Sequence, residues 1–235
     1  NRYNDILPYD RTRYKLRPVQ NVDGSDYVNA SYVPGNSSSR QYIATQGPLE
    51  WTCADFWRMC WESEAAAIVM LAKCSERGTE KCYPYWPSGT DPMKYGAINV
   101  CLVGSTNNAD WTVSKLVLWQ DNHQRRRTVL HYRFRAWPDQ GVPRGKKRDA
   151  LVRFVMEFGS TVTSAPVVVH CSAGVGRTGT FIAMDTIFRQ IAAEPERSID
   201  ILGTVGRLRE SRQHMVQTVE QYEYIYWSVQ AVLNG

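Results

Sequence analysis

The stretch from Pro166 to Ala192 constrains the fold more than any other part of this 235-residue chain. Pro166-Val167-Val168-Val169-His170 is a short β-branched run, and such a run beside turn residues reads as a buried strand. Cys171-Ser172-Ala173-Gly174-Val175-Gly176-Arg177 follows with two glycines, and Thr178 to Ala192 reads as a helix. A strand, a glycine-containing turn and a helix in succession gather backbone N–H groups in front of the helix N-terminus. That arrangement is an anion cradle.

The rest of the chain supplies matching elements. Tyr27–Val33 and Arg40–Ala44 read as strands joined by a turn at Asn36-Ser37-Ser38-Ser39. Ala67–Leu71, Ala97–Val103, Trp111–Trp119 and Thr128–Phe134 read as further strands. Thr52 to Ala65 reads as a helix capped by Thr52, and Leu151, Phe154, Val155 and Phe158 recur at helical spacing. Two more helices are expected near Ile199–Glu210 and Val219–Val232. No repeat or linker divides the chain. The expectation is one α/β domain, a twisted mixed β-sheet flanked by helices, with the anion loop between a strand and a helix.

The net charge of +5 is a modest surplus. Basic residues cluster at Arg125-Arg126-Arg127 and Arg144-Gly145-Lys146-Lys147-Arg148, which read as solvated loops, so neither nucleic acid nor a membrane surface is an expected partner. No run approaches the roughly 20 apolar residues of a membrane helix. The six cysteines form no C-x-x-C pair and share no metal-ligand spacing with the four histidines. No metal site is therefore expected, and a reducing compartment fits best.

Cys171 opens the cradle, where the field that attracts an oxyanion also stabilises a thiolate. Arg177, six residues on, can add a bidentate fork matched to two phosphate oxygens. At that offset Cys53, Cys60, Cys74, Cys82 and Cys101 are followed by Met59, Ala66, Glu80, Ser88 and Asn107. Cys171 thus combines the arginine with the glycines, the strand and the helix. The lysine of G-x-x-x-x-G-K-[ST] is absent, so this is not a nucleoside-triphosphate loop. A buried strand-end cysteine is the plainer alternative.

His170-Cys171-Ser172-Ala173-Gly174-Val175-Gly176-Arg177-Thr178-Gly179 resembles the signature loop of the classical protein tyrosine phosphatases. The resemblance extends over essentially the whole chain, 1–235. It takes in Asn1-Arg2-Tyr3, Asp26-Tyr27-Val28-Asn29-Ala30-Ser31, Thr45-Gln46-Gly47-Pro48-Leu49, Lys81-Cys82 with Tyr85-Trp86-Pro87, Trp137-Pro138-Asp139-Gln140-Gly141-Val142-Pro143 and Gln217-Thr218-Val219-Glu220-Gln221-Tyr222. It looks most like receptor-type members with a single cytoplasmic catalytic domain. The family's N-terminal helices have no counterpart here, so this end is expected to fray.

The resemblance implies hydrolysis of phosphotyrosine in proteins by a two-step, metal-free route through a phosphocysteine. It assigns Cys171 as nucleophile and Arg177 with Ser172, Ala173, Gly174, Val175 and Gly176 as the phosphate site. Asp139 becomes the general acid on a closing loop hinged at Trp137 and Gly141. Gln217 positions the hydrolytic water and Gln221 assists. Thr178 steadies the departing thiolate, and His170 tunes it through the loop. Tyr3 resembles the tyrosine that sets pocket depth, Asp5 a residue that bonds the peptide backbone, and Ile6 a pocket wall. Glu76 resembles the acid that pairs with Arg177, Lys81 its neighbour, and Arg212 a brace behind the loop.

By themselves these residues also allow blander readings. Pro138-Asp139 is a common turn pair, Gln217 and Gln221 can share an exposed helix face, and Glu76, Lys81 and Arg212 can be surface charges. The implied partners are phosphotyrosine-containing proteins, with no cofactor, and the implied location is cytoplasmic, as the intracellular part of a single-pass receptor. An inactive phosphotyrosine-binding domain is the rival reading. Such domains typically lose the general acid or the recognition tyrosine, and this chain keeps Asp139 and Tyr3. A thiolate in such a cradle is also expected to be oxidised readily.

Overall fold

The computed structural model describes residues 1–121, 124–162, 166–195 and 198–234. Eleven strands follow one another as β1 (Arg13–Lys15), β2 (Tyr27–Val33), β3 (Tyr42–Thr45), β4 (Ala67–Met70), β5 (Ser75–Glu76), β6 (Thr79–Glu80), β7 (Met93–Tyr95), β8 (Ile98–Asn107), β9 (Trp111–Gln120), β10 (Arg126–Phe134) and β11 (Val167–His170). The helices are α1 (Cys53–Glu62), α2 (Arg148–Thr161), α3 (Gly176–Ala193), α4 (Ile201–Ser211) and α5 (Val219–Leu233). Among the described residues, nine strands form one sheet in the order β1-β2-β3-β11-β4-β10-β9-β8-β7, and β5 and β6 make a separate hairpin.

The centre of the sheet is parallel. β11 pairs in parallel with β3 and β4, and β4 in parallel with β10. Antiparallel neighbours extend it on both sides. Alternation along the central strands divides the core. Val167 and Val169 face one hydrophobic cluster with Phe154, Phe158 and Phe181, while Val168 faces the other with Phe56, Trp57 and Met59. Helices α2 and α3 therefore cover one face and α1 the other. Both faces are buried, which is why β4 and β11 read as continuous apolar runs.

Several sequence expectations are corrected here. Thr52 does not cap α1 through its side chain: its hydroxyl instead accepts from the Leu49 N–H at 2.9 Å. The helix ends at Glu62, and Glu64 adopts a left-handed backbone (φ 58°) before Ala65. The second strand begins at Tyr42, because Gly35 and Ser38 close the preceding turn. Arg126 and Arg127 belong to β10. The Arg127 guanidinium donates to the Trp61 carbonyl at 2.7 Å rather than to water. At 144–148 the described side chains are exposed; that of Lys146 lies outside the described residues. The first residues are tied to the body of the domain: Arg2 donates to the carbonyls of Gly47 (3.1 Å) and Pro48 (2.8 Å) and pairs with Glu80. No helix among the described residues is long and apolar enough to cross a membrane.

Candidate active site

The four central parallel strands point their carboxyl ends the same way, toward one cleft, the edge where open α/β sheets bind ligands. β4 leads to the Glu76 hairpin, β10 to Asp139 and β11 to Cys171, which line it, and β3 leads to Gly47, whose N–H holds the Cys171 loop from behind. The cleft has a volume of about 370 Å³. Cys171, Arg177 and Asp139 line it, and the segments carrying Tyr3, Lys81 and Gln217 complete its walls.

The loop after β11 is held from behind by its carbonyls. His170 Nδ1 lies 3.1 Å from the Cys171 oxygen, and the Gly47 N–H donates to that of Ser172 at 2.8 Å. Arg212 donates to those of Ala173 (3.1 Å) and Gly174 (2.9 Å), and the Val216 and Gly179 amides to that of Val175. Among the described residues, the amides of Ser172 to Val175 meet no protein acceptor. With every carbonyl turned outward, those donors are left for a ligand, and the first turn of α3 adds its own free N–H groups. Gly174 makes the turn possible: its φ is +75°, and a Cβ there would stand 2.1 Å from the Thr45 oxygen.

Arg177 occupies the first turn of α3 and is aimed by Glu76. The two form a bidentate pair at 2.6 and 2.8 Å, with Glu76 only 4% exposed. The second N–H of each terminal nitrogen of Arg177 reaches a carbonyl, of Leu71 and of Pro138, both at 3.2 Å. Trp137 lies beneath the guanidinium and donates its indole N–H to the Gly141 carbonyl at 3.0 Å, closing a short loop around Asp139. Asp139 itself accepts from the Lys73 ammonium at 3.0 Å. That hydrogen bond is the main reason its carboxyl is held below the usual carboxylate range.

The supporting residues fall into place around this centre. Thr178 is fully buried beside the loop, and its hydroxyl has no hydrogen-bond partner among the described residues. The Tyr3 hydroxyl and Ser172 Oγ are 2.9 Å apart at the cleft's rim, next to Asp5 and Ile6. Gln221 accepts from the Gln217 N–H at 2.9 Å and caps α5 with Thr218. Arg212 is completely buried and also donates to Asn29 Oδ1 (2.6 Å) and Ser31 Oγ (3.3 Å); burial pulls its pKa down to about 10, so it stays charged at neutral pH.

Sequence reasoning missed the residues that hold His170. His170 Nε2 lies 2.7 Å from the Tyr85 hydroxyl, which lies 2.8 Å from His131 Nε2. All three are fully buried, and burial brings the His170 pKa down to about 4 and pushes that of His131 down as well. Neutral His170 donates from Nδ1 to the Cys171 carbonyl, so its Nε2 must accept from Tyr85, and Tyr85 in turn must accept from His131. Lys73, Asn29 and Ser31 were likewise unforeseen. Among the described residues no group of three or more histidine, cysteine, aspartate or glutamate side chains could hold a metal ion.

Comparisons with known proteins agree with this geometry. A protein-tyrosine phosphatase family model matches residues 1–231. The chain is 44% identical over 233 residues to receptor-type tyrosine-protein phosphatase H of Homo sapiens, covering 96% of this chain and 20% of that protein. It is 44% identical over 239 residues to receptor-type tyrosine-protein phosphatase eta of Mus musculus, covering 100% and 19%. To receptor-type tyrosine-protein phosphatase S of Gallus gallus it is 42% identical over 227 residues, covering 96% and 15%. The chain thus spans a fifth or less of the length of these curated relatives. With the whole chain matched and the cleft assembled from the matched segments, it belongs to the protein-tyrosine phosphatase family.

Proposed function

We propose that this domain hydrolyses phosphotyrosine in proteins through a phosphocysteine on Cys171. The observation that carries the reading is the loop whose carbonyls are all engaged from behind, leaving the Ser172–Val175 amides to surround one oxyanion, with the Arg177 guanidinium held beside them by Glu76. Preorganised donors of this kind stabilise the charge that develops on a transferring phosphoryl group.

In the first step the Cys171 thiolate attacks phosphorus, the bond to the tyrosine oxygen breaks, and Asp139 gives that oxygen its proton. Asp139 must first leave Lys73 and swing inward with the Trp137–Pro143 loop, a lid movement anchored by Trp137 and permitted by Gly141 at φ +67°. In the second step a water held by Gln217, with Gln221 assisting, attacks phosphorus while Asp139, now a carboxylate, takes its proton. The Cys171 thiolate departs onto the Thr178 hydroxyl, whose lack of another partner suits that task. His170 acts through the Cys171 carbonyl by fixing the loop. Tyr3 supplies the depth: a wall of that height admits an aryl phosphate to Cys171 and leaves a shorter phosphoserine out of reach. Lys81, Asp5 and Ile6 complete the rim for the substrate peptide.

The likeness to receptor-type proteins extends the proposal to setting: residues 1–235 are the intracellular catalytic part of a membrane receptor. Turnover of a phosphotyrosyl peptide in EDTA tests the chemistry. The wild-type domain is expected to turn over, Cys171→Ser to be inactive, and Asp139→Ala to be strongly slowed, with the phosphoseryl counterpart left intact. Wild-type binding without hydrolysis would reassign the domain as a phosphotyrosine-binding module.

A further inference from the structure

Among the described residues Arg133 has no carboxylate partner. It lies near the end of β10 with its guanidinium over the Trp86 ring, 4.8 Å from the centroid. Its Nε–H is closed off from solvent and meets no acceptor, and its side chain makes no hydrogen bond or ion pair among the described residues. Burial is the main cause of the lowering of its pKa, and the neighbouring Arg135 adds to it. The terminal N–H groups of the same guanidinium, also without a protein acceptor among the described residues, are not sealed off, so they are the donors that a ligand can reach.

The place for one is a cavity of about 200 Å³ against this guanidinium. Lys73, Arg133 and Arg135 supply three cations to its walls, and no carboxylate among the described residues lines it. Arg135 gives its guanidinium to the Asn108 and Trp111 carbonyls, so its charge too is unmatched there. Lys73 is shared with Asp139. Phe134 provides flat apolar surface, and the half-buried thiol of Cys74 stands in the same wall. None of these residues lines the Cys171 cleft.

We propose that this cavity binds a small organic anion, a carboxylate on a single flat apolar ring. The planar fork of Arg133 matches a carboxylate bidentately, and the apolar lining of Met70, Ala72 and Phe134 takes the ring, the Trp86 face being covered by the guanidinium itself. Size limits the choice: the cavity is below the roughly 300 Å³ at which pockets for drug-sized ligands begin, so one ring fits and a fused or extended ligand does not. An isolated inorganic anion would satisfy Arg133 but leave the apolar walls unused.

Cys74 makes the site testable. The whole domain carrying Cys171→Ser, so that the cleft thiol does not compete, is treated with iodoacetamide with and without benzoate. Alkylation is followed on the tryptic peptide Cys74–Arg77, with Cys101 as the reference outside the cavity. Benzoate is expected to slow alkylation of Cys74 severalfold and leave Cys101 unchanged. Adding Arg133→Gln should abolish the protection, while Arg133→Lys, which keeps the charge without the fork, should retain part of it. Circular dichroism establishes that both variants are folded. Equal Cys74 rates with and without benzoate overturn the proposal, as does protection that survives intact in Arg133→Gln.

Discussion

At Asp139, the general acid of the proposed mechanism, two requirements meet. A general acid must hold its proton until the leaving oxygen takes it, yet the Lys73 ammonium 3.0 Å away favours the carboxylate. Removing that cation with Lys73→Met raises the carboxyl's pKa. The alkaline limb of kcat/KM against pH reports the free enzyme, in which Asp139 rests on Lys73, so it is expected to move to higher pH; a limb that stays put would separate Lys73 from the chemistry. His170 sets a different pH dependence. Its folded pKa of about 4 lies below the unfolded value of 6.5, so the unfolded chain binds the extra proton between these limits and stability falls as pH drops through them. At about 1.4 kcal/mol per unit, the loss from His170 alone approaches about 3 kcal/mol by pH 4. Urea denaturation from pH 7 to 4 should show at least that slope, and His170→Asn should make it shallower, the buried His131 contributing in the same direction.

Residue identity alone carried the centre of the site and little of its surroundings. Cys171 and Arg177 stand six apart in one loop, and a strand and a helix bracket them, so the cradle was legible from local order. Tyr85, His131 and Lys73 meet it only because β4, β10 and β11 are neighbours in the sheet. Nothing in the spacing of those residues signals contacts made across 46 to 85 positions of sequence.

Among the elements, the β5–β6 hairpin illustrates how a small piece of structure governs a large effect. It is two residue pairs long, too short for any periodicity to reveal, and the same brevity hid β1 and β7. Yet it carries Glu76, which fixes both terminal nitrogens of Arg177. Glu76→Ala leaves that guanidinium unaimed and partly buried. The expected loss is about 3 kcal/mol of stability, read by urea denaturation, together with weaker inhibition by inorganic phosphate. Unchanged phosphate inhibition would mean that Arg177 holds its pose without the hairpin. The loop after β11 makes the complementary case. Gly174→Ala adds a methyl group at a positive φ and against the Thr45 carbonyl, and is expected to cost of order 3 kcal/mol. Thermal unfolding checks it.

At the scale of the molecule, the sheet explains why so dispersed a set of residues works together. Strands β3, β4, β10 and β11 are parallel, so their carboxyl ends share one edge, and four separate loops reach the same point. Burial on both faces makes that scaffold rigid. The α/β class and the strand–loop–helix unit could be read from apolar runs and β-branched residues. The order of the strands could not, because identical apolar runs fit several neighbours. Arg212 depends on that order: it joins the loop carbonyls to Asn29 and Ser31 on β2.

The claim that Cys171 takes the phosphoryl group is tested most directly by acid quench of the domain during turnover of a radiolabelled phosphotyrosyl peptide. Gln217→Ala is used to slow release of the intermediate. The prediction is label bound covalently to the peptide containing Cys171, and none in Cys171→Ser. Full turnover with no label on Cys171 would contradict the account.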